Sequence, residues 1–188
     1  MIKIKYDNRG LSLLELMVAI AISMMVFTVI LTLSSNSITQ YRNIGTDVDL
    51  QNEAQLTSNQ IRDWMMEVNE GVSWEDNDTN SKLYLFYTTD KNELNEKEMI
   101  GEISFDKASG ELYYKLYEYG VDESGVEAYL LSNKVEGFYC DMSNIFTDGY
   151  IIYTITYDNS GKQWAKTNEF TFRNEILVVD SAYEIFGR

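Results

Sequence analysis

Hydrophobic and polar positions follow three different periods along this chain of 188 residues. From Leu11 to Leu33 there is almost no alternation, and the run of 23 residues holds one ionisable side chain, Glu15. A helix over that run spans roughly 34 Å, enough for a hydrocarbon core of about 30 Å. Beyond Leu33 apolar residues fall three or four apart. Ile38, Tyr41, Ile44 and Val48 form one set, followed with wider gaps by Ala54, Ile61, Trp64, Met65 and Val68. This spacing predicts an amphipathic helix to about residue 70, loosened at Gly45 and capped by Gly71. Its heptads are too broken for a free coiled coil. The chain has no proline, so none kinks the helix.

From Lys82 the period drops to two. The runs KLYLFYTT, EMIGEISFD, ELYYKLYEY, EAYLLS, VEGFYCDM, GYIIYTITYD and NEFTFRNEILVV read as half-buried strands. In the last of them Phe170 and Phe172 face one side, with Thr171 and Arg173 on the other. Lys107–Gly110 and Asp158–Gly161 carry hairpin-turn chemistry. One long helix followed by antiparallel strands is an α+β layout, with the second half of the helix packed on the sheet.

Charge and processing signals then bear on the apolar run. Lys3, Lys5 and Arg9 precede it against Asp7, a leader of net +2 that the positive-inside bias keeps cytoplasmic. The rest of the chain is then delivered outward. A secretory signal would end its shorter apolar stretch at a small-residue cleavage site. Ala19-Ile20-Ala21 has that pattern but lies mid-run, so a cut there would leave an apolar new terminus. A plain single-pass anchor leaves Glu15 unexplained, since a carboxylate at a membrane helix centre costs about 2.5–3.5 kcal/mol.

Gly10, then Leu11-Ser12-Leu13-Leu14-Glu15 and the uncharged run, resemble the leader of type IV pilins and type II secretion pseudopilins. The resemblance implies the pilin fold: a long N-terminal helix, membrane-spanning in its first half, packed on an antiparallel sheet. It implies that a prepilin peptidase and methyltransferase removes residues 1–10, cutting between Gly10 and Leu11, and N-methylates Leu11. The family's first mature residue is most often Phe, so Leu11 departs from the pattern. It also implies that Glu15 meets the new amino group of a neighbouring subunit and fixes the axial offset at which subunits stack. A repeated heterologous contact of that kind builds a helical filament. Snorkelling of Glu15 to the head groups is the competing reading. The implied partners are the peptidase, sister pilins or pseudopilins, an assembly platform membrane protein and membrane lipid.

The division that follows is leader 1–10, membrane half-helix 11–33, amphipathic half-helix 34–70 and extracytoplasmic sheet domain 71–188. The absence of proline and the large head resemble a minor subunit more than a major pilin. The closing TNEFTFRNEI resembles a J-type pseudopilin, and a large head suits a filament tip. The subunit is expected first in the cytoplasmic membrane, with its leader inside, and then in a pilus or pseudopilus. A tip adhesin and a subunit of a DNA-uptake pilus are the alternative functions.

Composition narrows the chemistry. The net charge is -15, with 30 acidic and 15 basic side chains. Nucleic acid binding by the head is therefore not expected. With no histidine the usual general base and the commonest zinc ligand are missing, and no enzyme activity or cofactor is expected. Asp76, Asp78 and Asn80 alternate as calcium ligands would, but an EF-hand template wants Gly at Ser81 and an acid at Tyr87. They remain a candidate calcium loop or a solvated acidic turn. Cys140, the only cysteine, alternates with Phe138 and Met142 and reads as a small buried hydrophobe. Tyr113, Tyr114, Tyr117 and Tyr119 are candidates for a sugar- or surface-binding face, although strand alternation sends half of them to a core.

Overall fold

A computed structural model describes residues 12–89, 97–159, 161–173, 176–179 and 186. The chain divides into two compact units, residues 1–47 and 48–188. Helix α1 runs Leu13–Glu67. In the first unit it is uncovered: every residue from Ser12 to Gly45 is exposed. Burial begins at Leu50 and recurs at Ala54, Thr57, Ser58, Ile61 and Met65, one face of a helix. The expected stripe of Ile38, Tyr41, Ile44 and Val48 is therefore not part of the helix–sheet contact. All four are exposed, Tyr41 to 77%. The three-to-four spacing marked a helix there but could not say what, if anything, covers it. The helix ends before Gly71, which opens the first strand instead of capping the helix.

Strands β1 (Gly71–Asp76), β2 (Asn80–Thr88), β3 (Glu98–Asp106), β4 (Glu111–Glu118), β5 (Tyr129–Ser132) and β6 (Val135–Asp141) come next. The short helix α2 (Ile145–Asp148), then β7 (Tyr150–Asn159), β8 (Lys162–Thr171) and β9 (Leu177–Val178) complete the described chain. The seven predicted runs resolve into two sheets, of order β5-β4-β3-β2-β1-β9 and β6-β7-β8. All pairings are antiparallel except β1 with β9, which is parallel through Gly71↔Leu177 and Val72↔Val178. The last predicted run is cut in two. Its first residues belong to β8, which starts six residues earlier at Lys162, and its end is β9. The expected turns are present: Gly110 and Gly161 take φ of 73° and 86°, and Asp158 Oδ1 accepts from the Gly161 amide at 3.0 Å. Both angles lie where glycine pays no steric cost.

Both sheets contribute to one core around the second half of α1. Leu83, Leu85, Ile103 and Leu112 of the larger sheet join Ile151, Tyr153, Ile155 and Tyr157 of β7 in a cluster with Leu50, Ala54 and Ile61. The Trp64 ring stacks on Tyr114 at 3.6 Å between centroids and 6° between planes. Polar ties fix the helix as well. Tyr153 Oη donates to the Ser58 carbonyl at 3.2 Å, and Glu53 accepts from Ser132 Oγ and, at 2.8 Å, from Lys134 Nζ.

The opposite face of the larger sheet carries a second cluster of Phe86, Ile100 and Val179, with Tyr84, Tyr117, Tyr119 and Phe186 packed against it. On the same face Lys82 Nζ pairs with Glu102 Oε1 at 3.0 Å, and Glu102 is only 1% exposed. Burial works to lower the Lys82 pKa. The hydrogen bond and charge of Glu102 outweigh it and hold the ammonium above its ordinary range.

Candidate assembly site

Two features meet at the start of α1: an ordered helix beginning and an apolar stretch without cover. Ser12 sits just before the first helical residue, the N-cap position, and Glu15 stands three residues on. The Glu15 amide donates to Ser12 Oγ at 3.2 Å. The Ser12 amide and hydroxyl donate in return to Glu15 Oε2 at 2.9 and 3.1 Å. This reciprocal arrangement is a capping box. It satisfies amides that the first turn of any helix leaves without partners, and it sets a negative charge at the positive end of the helix dipole. Glu15 Oε1 has no hydrogen-bond partner among the described residues. A carboxylate offers about four acceptor positions, so a further donor can be accommodated there.

The apolar run behind the box is bare. Leu14, Met17, Val18, Ile22, Met25, Phe27 and Leu31 are all at least half exposed. Hiding one such side chain from water is worth about 1.5–3 kcal/mol, so a surface of this kind needs lipid or other helices around it. The helix is long and apolar enough to cross a membrane by length and composition. Within it Ser23, Thr28 and Thr32 turn their hydroxyls back onto the carbonyls of Ala19, Met24 and Thr28 at 2.7–2.8 Å. No hydroxyl is thus left to face hydrocarbon without a partner. Gly10 and Leu11, the expected cut junction, lie outside the described residues.

The other candidates are placed as follows. Asp76 ends β1 and Asn80 opens β2, with Asp78 in the turn between. Lys107 Nζ and Ser81 Oγ both donate to Asp76 Oδ1 at 2.7 Å. The Lys107 ammonium, then the Ser81 hydroxyl, hold the Asp76 carboxyl below its ordinary range. Asn77 Oδ1 accepts from the amides of Thr79 and Asn80, so the turn closes on itself. Among the described residues no group of three or more acidic, histidine or cysteine side chains is arranged to hold a metal. Cys140 is buried beside Asp141, and burial pushes its thiol up to about 12, away from thiolate chemistry.

The tyrosines split by strand alternation. Tyr114 is in the core against Trp64, while Tyr117 and Tyr119 pack around the second cluster. The Ser12–Glu15 reciprocity was not drawn from the sequence, although its signal, serine followed three residues later by glutamate ahead of an apolar run, is there to be read.

Residues 5–31 match the family model described as the prokaryotic N-terminal methylation motif. That span covers Lys5 and Arg9, the capping box and most of the bare apolar run. No curated protein matches the chain.

Proposed function

We propose, on the premise that this N-terminal segment is that of a type IV pilin or pseudopilin, that the chain is a minor subunit of a type IV pilus or type II secretion-like filament. The single observation that carries this reading is Glu15: a carboxylate at the head of a membrane-length helix, held by Ser12 through Oε2 in a capping box.

The N-terminal motif and that capping box support the following sequence of events. The prepilin peptidase cuts between Gly10 and Leu11 on the cytoplasmic side and methylates Leu11. The cut falls outside the capping box, so the helix start formed by Ser12 and Glu15 survives processing. In the membrane monomer Ser12 shelters the charge through Oε2. In the filament the Glu15 carboxylate receives the new amino group of an adjacent protomer. An ion pair at low dielectric is far stronger than in water, and its reach of a few ångströms makes it selective for one axial offset. Apolar contacts between helices add adhesion but discriminate offsets poorly. The exposed residues between Leu13 and Leu33 supply that adhesion, first to lipid and then to neighbouring helices. A tip or initiating position suits the large head, as in J-type pseudopilins.

Two substitutions test the scheme. Glu15→Val is expected to leave cutting and membrane insertion unchanged and to reduce filament incorporation at least tenfold, measured by immunoblot of sheared filaments against membranes. Normal incorporation would remove Glu15 from the scheme. Gly10→Ala is expected to leave the leader attached, which intact-mass measurement reads directly. A correctly processed N-methylated product from that variant would move the cut site elsewhere.

A further inference from the structure

The free edge of β8 is the feature of the head that the filament reading leaves unused. β8 pairs along its full length with β7, from Tyr150↔Thr171 to Asn159↔Lys162, and with no other strand among the described residues. The phase of its hydrogen bonds is fixed just past its end, where the Phe172 amide donates to the Gly149 carbonyl at 2.9 Å. Antiparallel pairs alternate, so the even-numbered residues of β8 bond to β7. The amides and carbonyls of Gln163, Ala165, Thr167 and Glu169 then point outward, and all four residues are exposed.

A groove runs between this edge and α1. A cavity of about 160 Å³ is bordered by Asn59 and Arg62 of the helix and by Lys166 and Asn168 of the strand. Glu169 borders it too, although alternation puts its side chain on the other face of the sheet. A second cavity of about 420 Å³ shares Phe170 and continues past Met65, Met66 and Arg173. The groove thus pairs a cationic, amide-rich stretch with an apolar one, on a chain whose net charge is -15. Arg62 already leans on Asn59 Oδ1, and Lys166 Nζ donates to Gln55 Oε1; neither bonds a carboxylate in the described structure.

We infer that the β8 edge is a docking site for an extended acidic segment of a partner protein, which adds a fourth strand to β6-β7-β8. Main-chain bonds to the outward groups of Gln163, Ala165, Thr167 and Glu169 supply the pairing. Alternate side chains of the incoming strand, about 7 Å apart, turn toward α1. Carboxylates among them meet Arg62 and Lys166, and an apolar residue beyond them enters the space beside Phe170 and Met66. The inference stands on residues 48–173 and does not depend on filament assembly.

The test uses the full chain in detergent micelles and three synthetic ten-residue probes. One alternates glutamate and valine, the second replaces its glutamates by lysine, and the third is the glutamate peptide N-methylated at every amide. The glutamate peptide is expected to bind about tenfold or more tighter than either of the others. On binding, the amides of Ala165, Thr167 and Glu169 should gain protection in residue-resolved hydrogen exchange, while those of Lys166 and Asn168 stay as they were. The double variant R62E/K166E should weaken the glutamate peptide about tenfold or more and leave the fold intact. Ala165→Pro removes only an outward amide and should abolish binding.

Equal binding of glutamate and lysine peptides, undiminished binding of the N-methylated peptide, or protection outside β8 would each overturn the proposal. So would protection of the same amides that grows with protein concentration before any peptide is added, which would assign the edge to a second copy of this chain. Should Ala165→Pro fail to fold, the peptide comparison and the double variant decide.

Discussion

Gly101 is tight for a methyl group. It lies on the helix-facing side of β3, and a Cβ built there would come within 3.1 and 3.2 Å of Tyr114 Oη and Cε2. Trp64, stacked on the Tyr114 ring, opposes its retreat. Gly101→Ala is therefore expected to cost about 1–3 kcal/mol, read as a lower urea midpoint at unchanged slope. Wild-type stability would show that the stack yields freely. Asp76 gives a second test at this scale. Its carboxyl is held below the ordinary range by Lys107 and Ser81, so its contribution to stability is present above that range and fades as pH falls through the folded-state midpoint. Lys107→Met should raise the Asp76 midpoint toward the ordinary carboxylate value in a carbon-13 NMR titration; no movement would discount the ion pair.

At the scale of elements, α1 carries two kinds of apolar residue that one periodicity cannot separate. Ile61 is fully buried between the sheets, whereas Tyr41 and Ile44 are exposed. Ile61→Ala is expected to destabilise the protein by about 2–5 kcal/mol in chemical denaturation, and Tyr41→Ala to change it by no more than about 0.5 kcal/mol. If Tyr41 and Ile44 serve neighbours in a filament, their loss should appear in incorporation and not in unfolding. The same limit explains which elements could be read ahead of the structure. β7 announces itself by clean alternation of apolar residues, and both β7 and β3 lie where the sequence places them within a residue.

β1 is not legible in the sequence, because GVSWED holds one β-branched residue and ends in acids. It is a strand because β2 pairs with it along its length and β9 pairs with its start. The first half of β8 is hidden for a related reason: its helix-facing positions are Trp164, Lys166 and Asn168, and the lysine and asparagine face a polar groove rather than a core. The Glu15 end was legible as a charge in the wrong place. Its reciprocal bonds with Ser12 needed the helix start to be located first.

Over the whole molecule, the division into sheets is the property least available to local reading. Seven alternating runs do not say that six strands form one sheet and three another, because that choice depends on the parallel return of β9 to β1 and on which strands share α1. The same return brings Val179 and Phe186 over the outer face of the larger sheet, where Phe186 packs edge-on to Phe86 at 5.9 Å and against Tyr119 at 5.3 Å. Phe186→Ala should lower stability by about 1–3 kcal/mol and increase binding of a hydrophobic dye at Phe86 and Ile100. Stability and dye signal equal to wild type would mean that the cluster stands without it.

This arrangement has a practical bearing on any labelled form of the protein. A fluorophore or affinity handle joined beyond Phe186 would pull on a ring already wedged against its neighbours. The turn at Ala108 and Ser109, open to solvent between β3 and β4, offers an attachment point that disturbs no packed surface.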